Sequence, residues 1–202
     1  MEVNHLDTTL FINRGDRFEP VPLPMEVQLA PAFSVCVGDV DADGNDDLFF
    51  SQNFFAVRPE DPRNDAGTGL WLLGQGDGTF RALGPGESGV RVDGEQRGAA
   101  LADFDHDGRV DLVVTQNAAA TRLFRNQAEA KGVRVRFGGE GEGAQVRLVY
   151  SDGTKGTVRV VQAIAKVLGA AGEAVAVEAA WPSGEKTRVA LKPGQAEVLL
   201  SH

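Results

Sequence analysis

Apolar residues along this chain fall in short clusters rather than at helical spacing. Leu48-Phe49-Phe50, Trp71-Leu72-Leu73 and Leu112-Val113-Val114 are bounded by Gly, Asp and Asn. Runs this short between turn-forming residues predict β-strands and are too brief for helices. After Gln127 the pattern becomes an alternation: Val133-Arg134-Val135-Arg136-Phe137, then Gln145-Val146-Arg147-Leu148-Val149-Tyr150, then Val175-Ala176-Val177-Glu178-Ala179-Ala180-Trp181. Such alternation puts one face of a sheet in a core and the other in water, as antiparallel strands do. Ser151-Asp152-Gly153, Pro182-Ser183-Gly184 and Lys192-Pro193-Gly194 supply the turns.

The clusters of the first part repeat. Residues 37–53 align without a gap on residues 101–117 at an offset of 64, with eight of 17 positions identical, four of them aspartate. A second element, an apolar strand running into a polar turn, recurs as Leu10-Phe11-Ile12-Asn13-Arg14-Gly15-Asp16, as Trp71 to Phe80, and as Leu123-Phe124-Arg125-Asn126. The order is turn element, Asp loop, turn element, Asp loop, turn element, so the chain begins halfway through a repeat. A unit of several short strands at this period fits a propeller blade, which repeats at roughly 40–50 residues, lengthened here by an insertion at 54–68. The expected fold is all-β: a partial β-propeller of about two blades over residues 1–127, with a C-terminal antiparallel β-sandwich-like module over 128–202.

Within the repeat lies D-x-D-x-D-G-x-x-D, as Asp39, Asp41, Asp43, Gly44, Asp47 and as Asp103, Asp105, Asp107, Gly108, Asp111. Alternate carboxylates on a tightly wound loop converge on one point, and six to eight hard oxygens are what Ca2+ takes. The residue after the glycine, Asn45 or Arg109, is expected to add a backbone carbonyl. An EF-hand opens in the same way but closes with a glutamate at its twelfth position between helices, where this chain has Phe50 and Val114 in strands. Two copies in the same apolar context outweigh the alternative of a chance Asp-rich turn, and carboxylates crowded without a phosphate favour calcium over magnesium. Two bound calcium ions are therefore expected.

Composition narrows the partners. With 20 basic against 29 acidic residues and a net charge of −9, the chain lacks the basic stripe that nucleic acid requires. Eight of those acidic residues are the motif aspartates, so two ions would bring the charge to −5. The sequence lacks the eighteen-residue apolar stretch that a helical membrane span needs, and its start lacks the pattern of a secretory signal. The single cysteine, Cys36, has no disulfide partner and is expected as a buried small residue in a strand.

Candidates for chemistry are few. His5, His106 and His202 are the histidines, and Gly86-Glu87-Ser88-Gly89 lacks the spacing of a nucleophile elbow. No residue is assigned a catalytic or cofactor-binding role, and the reading leans away from an enzyme. Arg14-Gly15-Asp16, a tripeptide that integrins read, is explained as a plain turn because it aligns with Gln75-Gly76-Asp77. Trp71, beside Leu72 and Leu73, is expected in the core rather than as a sugar platform.

At the doubled Asp motif and its following strand, the chain resembles the FG-GAP/VCBS repeats, the propeller repeats of integrin-α-like and bacterial surface proteins, over roughly residues 7–127. The C-terminal part resembles the ASPIC/UnbV domain that follows such repeats in the cartilage acidic protein-like family. Gly143-Ala144-Gln145-Val146-Arg147-Leu148, Leu168-Gly169 and Trp181-Pro182-Ser183-Gly184 carry that likeness. A Gly-Ser-Gly-Tyr-like segment of that domain is replaced by Gln162-Ala163-Ile164-Ala165-Lys166-Val167. The family's propellers have about seven blades, so this chain looks like the C-terminal part of a longer protein or a reduced relative. The resemblance implies a secreted, periplasmic or surface protein that binds a protein or carbohydrate, with structural calcium. Open propeller edges make self-association a further expectation. The alternative it implies is a non-hydrolytic accessory or cyclase-type protein of an enediyne-like biosynthetic pathway.

Overall fold

In the computed structural model the described residues are 4, 6–139, 141–162 and 165–201. His5, His202, and Ala163 and Ile164 of the replaced segment lie outside them. Strand accounts for 45% of the chain and helix for 4%, so the all-β expectation holds. The chain forms two compact units that are not contiguous in sequence. One comprises residues 1–38, 46–101 and 112–124, the other residues 39–45, 102–111 and 125–202. Both Asp loops thus belong to the unit that contains the C-terminal segment. No helix of the described residues is long and apolar enough to cross a membrane.

The first unit opens with a hairpin, β1 (Thr9–Asn13) and β2 (Phe18–Pro22), followed by a single helical turn, α1 (Met25–Gln28). At the hairpin's turn sits Arg14-Gly15-Asp16, with Gly15 at φ +94° and Arg14 paired to Glu19 at 2.7 Å. Next comes an antiparallel meander of β3 (Ala32–Gly38), β4 (Asp47–Gln52), β5 (Leu70–Gly74) and β6 (Phe80–Leu83), in that spatial order. After the short α2 (Pro85–Ser88), β7 (Gln96–Ala102), β8 (Asp111–Gln116) and β9 (Ala119–Phe124) make a second sheet. Neither sheet closes on itself.

Burial explains the sequence pattern of the meander. Every residue of β4 is buried, because Leu48 and Phe50 join a core with Val27, Leu70 and Leu72 while Phe49 packs on Trp71 across the other face, ring centres 5.2 Å apart. A strand covered on both faces reads as a continuous apolar run, and Leu48-Phe49-Phe50 is one. Trp71 is core, as expected. Strand β3 is an edge, and Phe33, Val35 and Val37 on it are exposed. Cys36, also on β3, is half-buried rather than fully enclosed, and that burial pushes its thiol pKa up.

The second unit holds two further sheets. β11 (Gln145–Tyr150), β12 (Arg159–Val160), β14 (Ala174–Ala180) and β15 (Lys186–Ala190) form one, in the order β12-β11-β14-β15. β10 (Val133–Phe137), β13 (Ala165–Leu168) and β16 (Glu197–Leu200) form the other, in the order β13-β10-β16. Val133, Val135, Phe137, Val198 and Leu200 of the second sheet share one core with Val146, Leu148, Val177 and Ala179 of the first, which is a sandwich. Trp181 closes that core edge-on to Phe137 and donates its indole N–H to Thr187 Oγ1 at 2.8 Å. One pairing departs from the antiparallel expectation: β10 and β16 run parallel, Val135 opposite Val198. Parallel neighbours need a long connection, and the rest of the module supplies it.

Candidate metal centre

Each Asp loop is the turn of a β-hairpin, and the 64-residue repeat extends to its backbone. The first spans the end of β3 at Gly38 to the start of β4 at Asp47, and the second the end of β7 at Ala102 to the start of β8 at Asp111. Asp43 N–H donates to Asp39 Oδ1 at 3.1 Å and Gly44 N–H to Asp39 Oδ2 at 2.9 Å. In the second loop Asp107 N–H reaches Asp103 Oδ1 at 2.9 Å and Gly108 N–H reaches Asp103 Oδ2 at 3.3 Å. Ala42 and His106 hold the left-handed conformation at φ 61° and 62°, and Gly44 and Gly108 hold it at 93° and 86°. Left-handed turns cost a residue with a Cβ energy, so the glycines are conformational requirements. They are also tight: a Cβ on Gly44 would stand 3.2 Å from Ala171 Cβ, and one on Gly108 3.3 Å from Gly132 O.

Carboxylates converge in both loops. Asp39, Asp41 and Asp43 place oxygens within 4.8 Å of one another, and so do Asp103, Asp105 and Asp111. A set of hard oxygens without sulfur or imidazole suits Ca2+ or Mg2+ and disfavours soft metals. The remaining motif residues are engaged differently. Asp47 is buried and accepts from Gly74 N–H at 2.9 Å. Asp107 is ion-paired to Arg109. Asn45 and Arg109, expected to offer carbonyls, donate their own N–H groups to Asp43 and Asp107 at 2.7 and 3.0 Å, and their side chains bond the same carboxylates.

The sequence pattern did not reveal the neighbours of these loops. Arg134 Nε, from β10, stands 3.2 Å from Asp103 Oδ2, and Arg125 pairs with Asp105. Arg159 donates to Gly44 O at 3.1 Å, 3.8 Å from Asp39 Oδ2. Asn126 links the two loops: its Nδ2 donates to Val40 O at 2.7 Å, and its backbone N–H donates to Asp111 Oδ1 at 2.8 Å. Asp111 Oδ2 also accepts from Phe104 N–H at 2.9 Å. Leu168-Gly169, at the end of β13, lies against the first loop, with Ala170 N–H donating to Ala42 O at 3.1 Å. A basic residue inside an alternating apolar strand, such as Arg134 between Val133 and Val135, was the one available signal.

These neighbours make the loops electrostatically unequal. Burial pushes the Asp39 pKa up to about 6, outweighing the Gly44 amide and the Arg159 charge, while Asp43 and Asp41 add to the rise. In the second loop burial also pushes Asp107 up, but its hydrogen bonds to Arg109 and the Arg109 charge hold it below the ordinary range. The Asp39 shift fixes a sign. Unfolded Asp titrates at about 3.9, so the metal-free folded chain holds this proton more tightly than the unfolded one. The stability due to protonated Asp39 is fully present below pH ~4 and is lost as pH rises to about 6. Thermal midpoints in chelator should therefore fall over that window, and Asp39→Asn should flatten the fall. An unchanged slope in the variant would refute the assignment.

Similarity to known proteins agrees with the repeat. Residues 54–114, which contain β7, the second loop and the start of β8, match the FG-GAP-like repeat family. Cartilage acidic protein 1 of Mus musculus is 26% identical over 190 residues, covering 84% of this chain and 28% of that protein. Its counterpart in Homo sapiens is 25% identical over 192 residues, with the same coverage. The chain thus spans little more than a quarter of the length of these curated relatives. It carries a segment similar to an FG-GAP-like repeat and shares weak similarity with cartilage acidic protein 1 over most of its own length.

Proposed function

We propose that this chain is a calcium-stabilised propeller-repeat module of an extracellular or cell-surface protein, with an ASPIC/UnbV-like C-terminal module, and that its work is binding rather than catalysis. The observation that carries this reading is the convergence of three carboxylates in each of two hairpin turns built on one backbone plan. Calcium would neutralise those carboxylates, and binding to the folded state alone adds directly to stability. The metal is structural in this reading, with Asp39, Asp41 and Asp43 in one site and Asp103, Asp105 and Asp111 in the other. Similarity to cartilage acidic protein 1 supports the extracellular setting. The partner proposed is a protein or a carbohydrate. The exposed Phe33, Val35 and Val37 on the edge strand β3 support a further association between copies of the chain.

Calorimetric titration of metal-stripped protein with CaCl2 tests the reading. Two ions should bind, and at about a hundredfold excess over Kd calcium should add roughly 2.7 kcal/mol per site to stability, reversed by EDTA. Absence of binding heat together with a melting curve that EDTA does not move would sink the proposal.

A further inference from the structure

The outward face of the β12-β11-β14-β15 sheet carries a charge opposite to that of the chain. Val177 and Ala179 of β14 face the core, so Glu178 and Ala180 face outward. Strand register sets Arg147 and Arg188 on either side of Glu178, and Gln145 and Lys186 on either side of Ala180. A small residue on the central strand between long neighbours leaves a trough. Together with Lys155 and Val158 these side chains line a cavity of about 460 Å3.

The trough holds more positive charge than its own carboxylate can balance. Arg147 Nε and Nη2 lie 3.0 and 2.9 Å from Glu178 Oε2, Lys155 Nζ lies 3.0 Å from the same oxygen, and Arg188 Nη1 lies 3.3 Å from Oε1. Lys186, exposed at the rim, has no ion pair among the described residues. Hydrogen bonds from Lys155, then from Arg147, hold the Glu178 carboxyl below its ordinary range, so it is ionised near neutrality. Four cations face one anion in a chain whose net charge is −9. A guanidinium fork can bond two oxygens of a sulfate or phosphate ester at once, which suits it to such groups better than any other side chain.

The volume falls in the range of small-molecule sites, larger than a bare oxyanion fills. Gln145, exposed beside Ala180, supplies an amide to a hydroxyl-bearing ligand. We propose that this trough binds a saccharide bearing a sulfate or phosphate monoester, its ester held by Arg147, Arg188 and Lys186 and a hydroxyl by Gln145. The site lies on residues outside the Asp loops and does not depend on calcium.

Calorimetry on the full chain at low salt would use three probes: a sulfated disaccharide, a sugar phosphate, and the unsubstituted disaccharide. At least one ester should bind, weakening with salt, and the tighter of the two identifies the ester that the trough prefers. Each of Lys186→Glu and Arg188→Glu should weaken binding about tenfold or more, because a charged hydrogen bond is replaced by a repulsion. Lys192→Glu makes the same charge change on an exposed turn outside the trough and should alter affinity less than about twofold. Circular dichroism of each variant confirms that it folds. Equal binding of the unsubstituted sugar, an equal loss in Lys192→Glu, or no binding heat from either ester at millimolar concentration would overturn the proposal.

Discussion

Asp111→Ala is expected to lower the thermal midpoint by roughly 5–10 °C in chelator as well as in calcium. The carboxylate is 2% exposed and accepts two backbone N–H groups, those of Phe104 and Asn126, which hold the loop to the segment after β9. Alanine leaves both donors without their partner, at about 1–1.5 kcal/mol each, and a chain of this size shifts by about 2–4 °C per kcal/mol. Asp105→Ala is the comparison. Its carboxylate pairs with Arg125, which is largely exposed, so in chelator its loss should cost under about 1 kcal/mol. Both variants should lose metal binding at the second loop if the ligand assignment is right. Melting both variants with and without EDTA separates the two roles, and an Asp111→Ala midpoint unchanged in chelator would refute the structural one.

Gly169→Ala is expected to have the next largest effect. A Cβ at this position would stand 1.8 Å from Asp39 Oδ2 and 2.8 Å from Ala42 Cα, so the methyl group cannot enter without moving the first loop. Overpacking of this kind costs about 1–3 kcal/mol. The displaced carboxylate belongs to the first cluster, so metal binding there should weaken while the second loop is unaffected. Gly139→Ala, where an added Cβ meets nothing within 4 Å, should leave both stability and binding unchanged. Equal behaviour of the two variants in a calcium titration and a melt would show that the close approach at Gly169 is not needed.

What the sequence made legible is what local spacing encodes. The Asp motif placed both hairpin turns, because alternate carboxylates followed by glycine dictate a turn wherever they fall. Leu48-Phe49-Phe50 announced a doubly buried strand, and the alternation around Val133 and Val146 announced the sandwich. Contacts between distant residues were hidden. Nothing near Asp39 points to Arg159, nothing near Asp103 points to Arg134, and the parallel pairing of β10 with β16 joins segments some sixty residues apart. Asp107 shows a subtler limit. The motif makes it equivalent to Asp43, yet Arg109 in place of Asn45 converts a neutral neighbour into a cation and ties the carboxylate up.

The parallel pairing of β10 with β16 also imposes an order in time. Val198 and Leu200 fill the centre of the core that Val133 and Val135 begin, so the second unit cannot complete itself until residue 200 has left the ribosome. Sheets closed by sequence-distant strands form slowly, since the loop between them must be ordered first. During synthesis the acidic turns at 39–45 and 102–111 therefore wait, strands already made on either side, for the arginines that will adjoin them. The Asp39 turn waits longest, because more than a hundred residues separate it from Arg159.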